Sequence, residues 1–150
     1  MGRIKMIQED KSLLLKDLCA RLPCGVKCNA FLKEIDGSLK SIFGTFKGYN
    51  GWATVGNNLV DIETVRPYLR SMSSMTEEQK KEILKRYKLH PHYGLCIEIT
   101  NHSEGYWDDD NSCNLQDYLW LVDWLNKNHF DYRGLIEKGL AIDATGLNIY

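Results

Sequence analysis

Apolar residues recur along this chain at two different periods, and the change of period marks out its parts. Over residues 8–22, QEDKSLLLKDLCARL, the positions Leu14, Leu15, Leu18, Cys19 and Leu22 fall at i, i+1, i+4, i+5 and i+8, the stripe of an amphipathic helix. Glu9 and Asp10 in its first turn and Arg21 in its last suit the helix dipole, and Pro23 and Gly25 stop it. From residue 26 the period drops towards two. VKCNAFLKEI (26–35) and SLKSIFGTFK (38–47) read as strands joined by the hairpin signal Asp36-Gly37, with Gly44 marking a bulge or a bend. Trp52 to Val55 and Leu59 to Ile62 read as two more short strands between Gly/Asn turns. Strands this short and this regularly spaced predict a small, strongly bent antiparallel sheet, for which an SH3-like barrel is one closed form.

Residues 63–70, ETVRPYLR, are expected as a helical turn with Val65, Tyr68 and Leu69 inward, since Pro67 argues against a regular strand. Thr76 and Gln79 form a capping box that opens a mostly polar surface helix over 77–88, with Ile83, Leu84 and Tyr87 as its narrow apolar side. LCIEIT (95–100) alternates as a strand, and a polar loop follows to Cys113. The main helix is expected over Leu115 to Asn126. Leu115, Tyr118, Leu119, Val122 and Leu125 form its apolar face, widened by Trp120, Leu121 and Trp124 and packed against the sheet and the segment that follows. In that segment Asp131 is expected to accept hydrogen bonds from turn amides and Arg133 to pair with a carboxylate, with Tyr132 and Gly134 completing the connection. The fold class is therefore α+β. One domain spans 1–150, with a helix and small sheet over 8–70 and a helical part with one or two strands over 71–150.

A chain of 150 residues buries roughly 68–70% of its unfolded surface and needs no metal or disulfide to hold its core. The five cysteines, an odd number with no signal peptide before them, point to free thiols in a reducing, cytoplasmic setting. No apolar run approaches a membrane span, and Met6 breaks the myristoylation pattern begun by Met1-Gly2. Charge is uneven. Residues 1–50 carry nine Lys/Arg against five Asp/Glu, or +4, and residues 91–150 carry three against ten, or −7. No basic cluster is dense enough to act by itself as a nucleic-acid footprint.

Candidate chemistry is sparse. Cys24-x-x-x-Cys28 and His90-x-His92 have metal-ligand spacing, but a helix stop and a strand do not build a zinc knuckle, so these read as small thiols and surface imidazoles. Asp108-Asp109-Asp110 lacks the spacing of a calcium loop and suits the start of the main helix. His129 reads as a helix-exit residue whose ring satisfies a carbonyl, and Glu98, Glu104 and Asp117 show no pairing for acid–base work. Nucleophile elbows and phosphate loops are missing from the sequence. No catalytic residue, metal or cofactor is assigned. Lys40, Lys47, Tyr49 and Trp52, with Phe43 and Phe46, interleave bases and aromatics across the expected sheet, the pattern of a single-strand binder.

VRPYLR (65–70) with SSMTEE (73–78), and DWLN (123–126) with HFDYRGLIEKGLA (129–141), resemble an uncharacterised family of small proteins encoded by phages and mobile elements of gut bacteria. The resemblance extends in order from DLCARLP (17–23) to the DYRGLI segment and covers about a third of the residues. It departs at Asp143-Ala144-Thr145-Gly146, where the family has an acidic Ala-Pro ending. It implies a genomic setting and no assigned activity. The function expected is a non-enzymatic accessory protein that binds a host protein or assembles with itself. The alternative is an anti-defence protein that binds nucleic acid or a nucleotide signal.

Overall fold

The computed structural model describes residues 6–87 and 115–150. Helix α1 (Gln8–Ala20) leads, followed by a 3-10 turn at Leu22–Cys24. Strands β1 (Lys27–Lys33), β2 (Leu39–Tyr49), β3 (Ala53–Val55), β4 (Asn58–Val60) and β5 (Arg66–Leu69) come next. Helices α2 (Glu77–Tyr87) and α3 (Leu115–Lys127) and the two-residue strand β6 (Ile142–Asp143) complete the order. The fold is α+β. The expected strand at 95–100, the His90-x-His92 pair, Asp108 to Asp110, Glu98, Glu104, Cys96 and Cys113 lie outside the described residues.

The sheet runs β4-β3-β2-β1-β5-β6 and is antiparallel except for the last pair. β4 curls back to approach β1, as the short strands suggest, yet no ladder joins the two edges, so the sheet is open rather than a closed SH3-like barrel. The β1–β2 hairpin turns where Asp36-Gly37 places it. Only Gly37 has positive φ, so the loop has three residues instead of the two a mirror-image turn would need. The Gly37 amide donates to the Glu34 carbonyl at 3.0 Å, and Asp36 Oδ1 accepts from the Ser38 amide at 2.9 Å. Gly44 makes no bulge, since it pairs in unbroken register with Cys28. A Cβ there would stand 2.9 Å from the Gly56 nitrogen, so glycine lets two backbones pass, and the register shift falls at Phe46/Gly48 instead.

Pro67 lies inside a strand, against the expectation of a helical turn at 63–70. The turn forms earlier, as a 3-10 segment at Ile62–Thr64 capped by Asp61. β5 tolerates proline because its ladders are short. It pairs with β1 only at Cys28↔Pro67 and Asn29↔Arg66, and with β6 only at Tyr68↔Ile142 and Leu69↔Asp143. Val65 and Leu69 are buried as expected, whereas Tyr68 points outward.

Two apolar clusters result. One sets Leu14 and Leu18 of α1 against Val26, Cys28, Ala30, Phe46 and Val55 of the sheet region, and Leu135 and Leu140 close it. The other gathers Met72, Met75, Ile83, Leu121, Trp124, Leu125 and Phe130. Helix α3 therefore packs on the 72–75 turn and α2, not on the sheet. Its buried side centres on Leu121, Trp124 and Leu125, with Trp120 partly buried and Tyr118 and Leu119 exposed. Trp124 stacks on Phe130 at 5.8 Å and 9° between planes, which sets that rotation. The capping box of α2 forms reciprocally: the Thr76 amide donates to Gln79 Oε1 at 2.9 Å and the Gln79 amide to Thr76 Oγ1 at 3.2 Å.

Candidate functional site

Paired residues of an antiparallel ladder share a face. With Cys28 and Ala30 buried against α1, the other β1 positions, Lys27, Asn29, Phe31 and Lys33, face outward beside Leu39, Ser41, Phe43 and Thr45 of β2. Arg66 of β5 pairs with Asn29, and Tyr68, two residues on, shares the face. No helix covers this side among the described residues. Phe43 is 57% exposed, Leu39 55% and Phe31 41%. Phe31 and Phe43 are diagonal neighbours across the ladder, and the Phe43 and Tyr68 rings meet at 5.6 Å, tilted by 56°. Asn29 accepts from the Ser41 hydroxyl at 2.7 Å, and Lys27 Nζ donates to the Thr45 hydroxyl at 2.7 Å. The outward positions of β1, β2 and β5 carry Lys27, Lys33 and Arg66 and, among the described residues, no carboxylate.

Lys40, Lys47, Tyr49 and Trp52 are all exposed but do not form one surface. Lys40 lies opposite Leu32 near the hairpin, with the parity of the inner face. Lys47 sits in the register shift seven residues along β2, about 23 Å away at strand rise. Tyr49 and Trp52 flank the β2–β3 turn at that far end. Phe46 is buried in the core, so of the interleaved set only Phe43 belongs to the outer face.

The densest polar chemistry lies inside. Leu14, Asp17, Leu18 and Arg21 fall at i, i+3, i+4 and i+7, and this is the stripe that is buried, whereas Cys19 and Leu22 are exposed. Asp17 and Arg21 have no solvent exposure at all. Arg21 Nε donates to Asp17 Oδ2 at 2.8 Å, Nη2 to Asp17 Oδ1 at 3.2 Å, and Nη2 also to the Phe130 carbonyl at 2.6 Å. Arg133 Nε lies 3.3 Å from Asp17 Oδ1, the ion pair expected of it. Both guanidiniums lie 5.1 Å from the centre of the Tyr132 ring, whose hydroxyl donates to Asn126 Oδ1 at 2.8 Å. Asp131 accepts the amides of Leu135 and Ile136, each at 2.9 Å, as its position in the turn implies. Arg21 is therefore no surface residue of a last turn. It is the bolt between the two apolar clusters.

At the exit of α3 the His129 amide donates to the Asn126 carbonyl and the Phe130 amide to the Leu125 carbonyl, the paired bonds of a Schellman motif. His129 occupies the left-handed position at φ 63°, where glycine is usual. Among the described residues its ring caps no carbonyl; it stacks on Tyr150 at 3.5 Å and 8°. Burial, then Arg21, Arg70 and Lys27, push its pKa down to about 4. Burial pushes Tyr150 up to about 12. The Tyr150 hydroxyl donates to the Tyr68 carbonyl at 2.8 Å and accepts the Lys27 amide at 2.9 Å. Burial, and then Asp17, likewise push the Cys28 thiol up, away from the thiolate that a metal or a substrate would need. Among the described residues no group of three or more His, Cys, Asp or Glu is placed to hold a metal ion.

Sequence reasoning missed Asp17, Arg21, Phe31, Tyr68 and Tyr150. The first two carried a readable signal, since they complete the i, i+3, i+4, i+7 stripe with Leu14 and Leu18. The outward set depends on the parity of β1 and on β5 being a strand, and Tyr150 on contacts 82 and 123 residues away. Compared with models of protein families, with characterised proteins and with solved structures, the chain matches none.

Proposed function

We propose that this protein is a non-enzymatic phage or mobile-element accessory protein that acts by binding a host component in the bacterial cytoplasm, with the outer face of its sheet as the recognition surface. The observation that carries this reading is the exposure of Phe31, Leu39 and Phe43 on one face that no helix covers among the described residues. The buried polar cluster supports it from the other side. Asp17 and Asp131 are each engaged by partners within the chain, as carboxylates that hold a fold together are. No helix among the described residues is long and apolar enough to cross a membrane. Self-assembly by stacking this face on a second copy is disfavoured, because each copy would meet a surface whose formal charges are all positive.

The test is differential retention from bacterial lysate on immobilised wild-type protein and on Phe43→Asp, with and without nuclease treatment. Phe43 is exposed, so the variant is expected to keep its melting temperature within a degree or two. A component held by the wild type and released by the variant supports the surface. Identical retention by both, or none by either, overturns it.

A further inference from the structure

We infer that the partner of the outer sheet face is single-stranded nucleic acid, a reading that rests on the surface proposed above. The argument is complementarity in both charge and shape. Phe31, Phe43 and Tyr68 occupy three successive rows of the β2-β1-β5 face, with Phe43 in the middle row in ring contact with Tyr68, and Phe31 and Phe43 are exposed. Exposed rings on an open sheet face offer stacking surfaces to unpaired bases, whichever base each is. Lys33 stands beside them, with Lys27, which donates to the Thr45 hydroxyl, and Arg66, which donates to the Glu63, Val65 and Gly139 carbonyls, adding positive charge, and the same outward positions hold no carboxylate among the described residues. At those positions a polyanion meets only positive charge, although the whole chain carries a net charge of −1. Asn29 and Ser41 bond to each other between the rings, and their remaining donors and lone pairs are turned to the same side as the rings, where base edges would lie. A duplex fits poorly, because it hides its base faces and offers only phosphates to three spaced cations.

An acidic peptide shares the charge and not the stacking, and this separates the two in experiment. The probes are a labelled 20-mer oligothymidylate, the same length of duplex, and a labelled polyglutamate peptide, each titrated by fluorescence anisotropy at two salt concentrations. The expected result is saturable, salt-weakened binding of the single strand, at least tenfold tighter than the duplex. The Phe31→Ala/Phe43→Ala double variant should weaken it tenfold or more while still melting cooperatively within a few degrees of the wild type, and Lys33→Glu should lower the salt slope by about one. Duplex binding as tight as single-strand binding, or single-strand binding indifferent to the two phenylalanines, overturns the inference. Polyglutamate binding that depends on Phe43, with no binding of the single strand, overturns it while leaving the surface itself in place. If no probe responds to the phenylalanines and lysate retention is equally indifferent, both readings fall.

Discussion

The buried junction beneath α1 and the outer face of the sheet are opposites. At the junction two charged side chains sit where apolar ones would be expected, and they are held by a bidentate ion pair and a backbone carbonyl, while Arg21 Nη1 and Arg133 Nε make no hydrogen bond among the described residues. On the outer face aromatic and aliphatic side chains sit where polar ones would be expected, and Phe31, Leu39 and Phe43 are exposed. Chemical density is therefore a poor guide to function in this molecule. Asp17, Arg21, Arg133 and Tyr132 look like an active site on paper, yet their bonds all hold one part of the chain to another. The rings of the outer face do little for the fold, and that is the reason to assign them a partner.

The contrast can be broken by mutation, and the largest effect is expected inside. Asp17→Ala leaves Arg21 buried without its carboxylate and releases Arg133, and should destabilise by roughly 3–5 kcal/mol in denaturant melts. A cost under about 1 kcal/mol would mean that the junction is not what joins the two clusters. Trp124→Ala removes the ring stacked on Phe130 and is expected to cost roughly 3–5 kcal/mol as well. A mutant that melts like the parent would move α3 from the interior to an interface.

A gentler test uses pH. His129 titrates at about 4 in the folded chain against an ordinary 6.5, because burial and the nearby Arg21, Arg70 and Lys27 oppose its charge. The unfolded chain thus binds more protons between those values. The stability this residue contributes is complete above about pH 6.5 and declines as pH falls towards 4. His129→Asn keeps a residue that tolerates the left-handed conformation and removes the titration, so its acid limb over that window should be shallower than the wild type's. The smallest effect belongs to the outer face. Phe43→Ala should shift stability by about 0.5–1 kcal/mol at most, because the ring is largely exposed and touches chiefly Tyr68. A loss of several kcal/mol would make the ring part of the core and remove the ground for a binding surface.

What could be read from the sequence was local. The Asp36-Gly37 turn, the Thr76/Gln79 cap, Asp131 gripping the amides that follow it and the extent of α1 each depend on residues within about five positions. The same is true of the helix stop at His129, although the backbone and not the ring makes it. What could not be read depended on distant partners. Pro67 becomes a strand residue only because β1 and β6 flank it, and β6 lies some seventy residues on. Arg21 is buried only because the Phe130 carbonyl and Asp17 receive it. Lys40 and Lys47 look like neighbours on a strand pattern, but one lies near the hairpin and the other in a register shift. Charged residues inside an apolar stripe are easily mistaken for its boundary, and this is how α1 came to be read a quarter-turn out of phase.

The span of the bond from Arg21 to Phe130 also bears on how the chain is made. The two are 109 positions apart. At ordinary translation rates of about 5–20 residues per second, Arg21 is synthesised ~5–20 s before its carbonyl partner is. Over that interval the strands β1 to β4 can assemble with α1, but the guanidinium has only Asp17, and Leu135 and Leu140 are not yet there to close the core. The nascent protein must wait with its first cluster open on one side. A ribosome-bound chain halted at residue 125 should therefore be readily cleaved by protease near α1, and one released beyond residue 145 should resist.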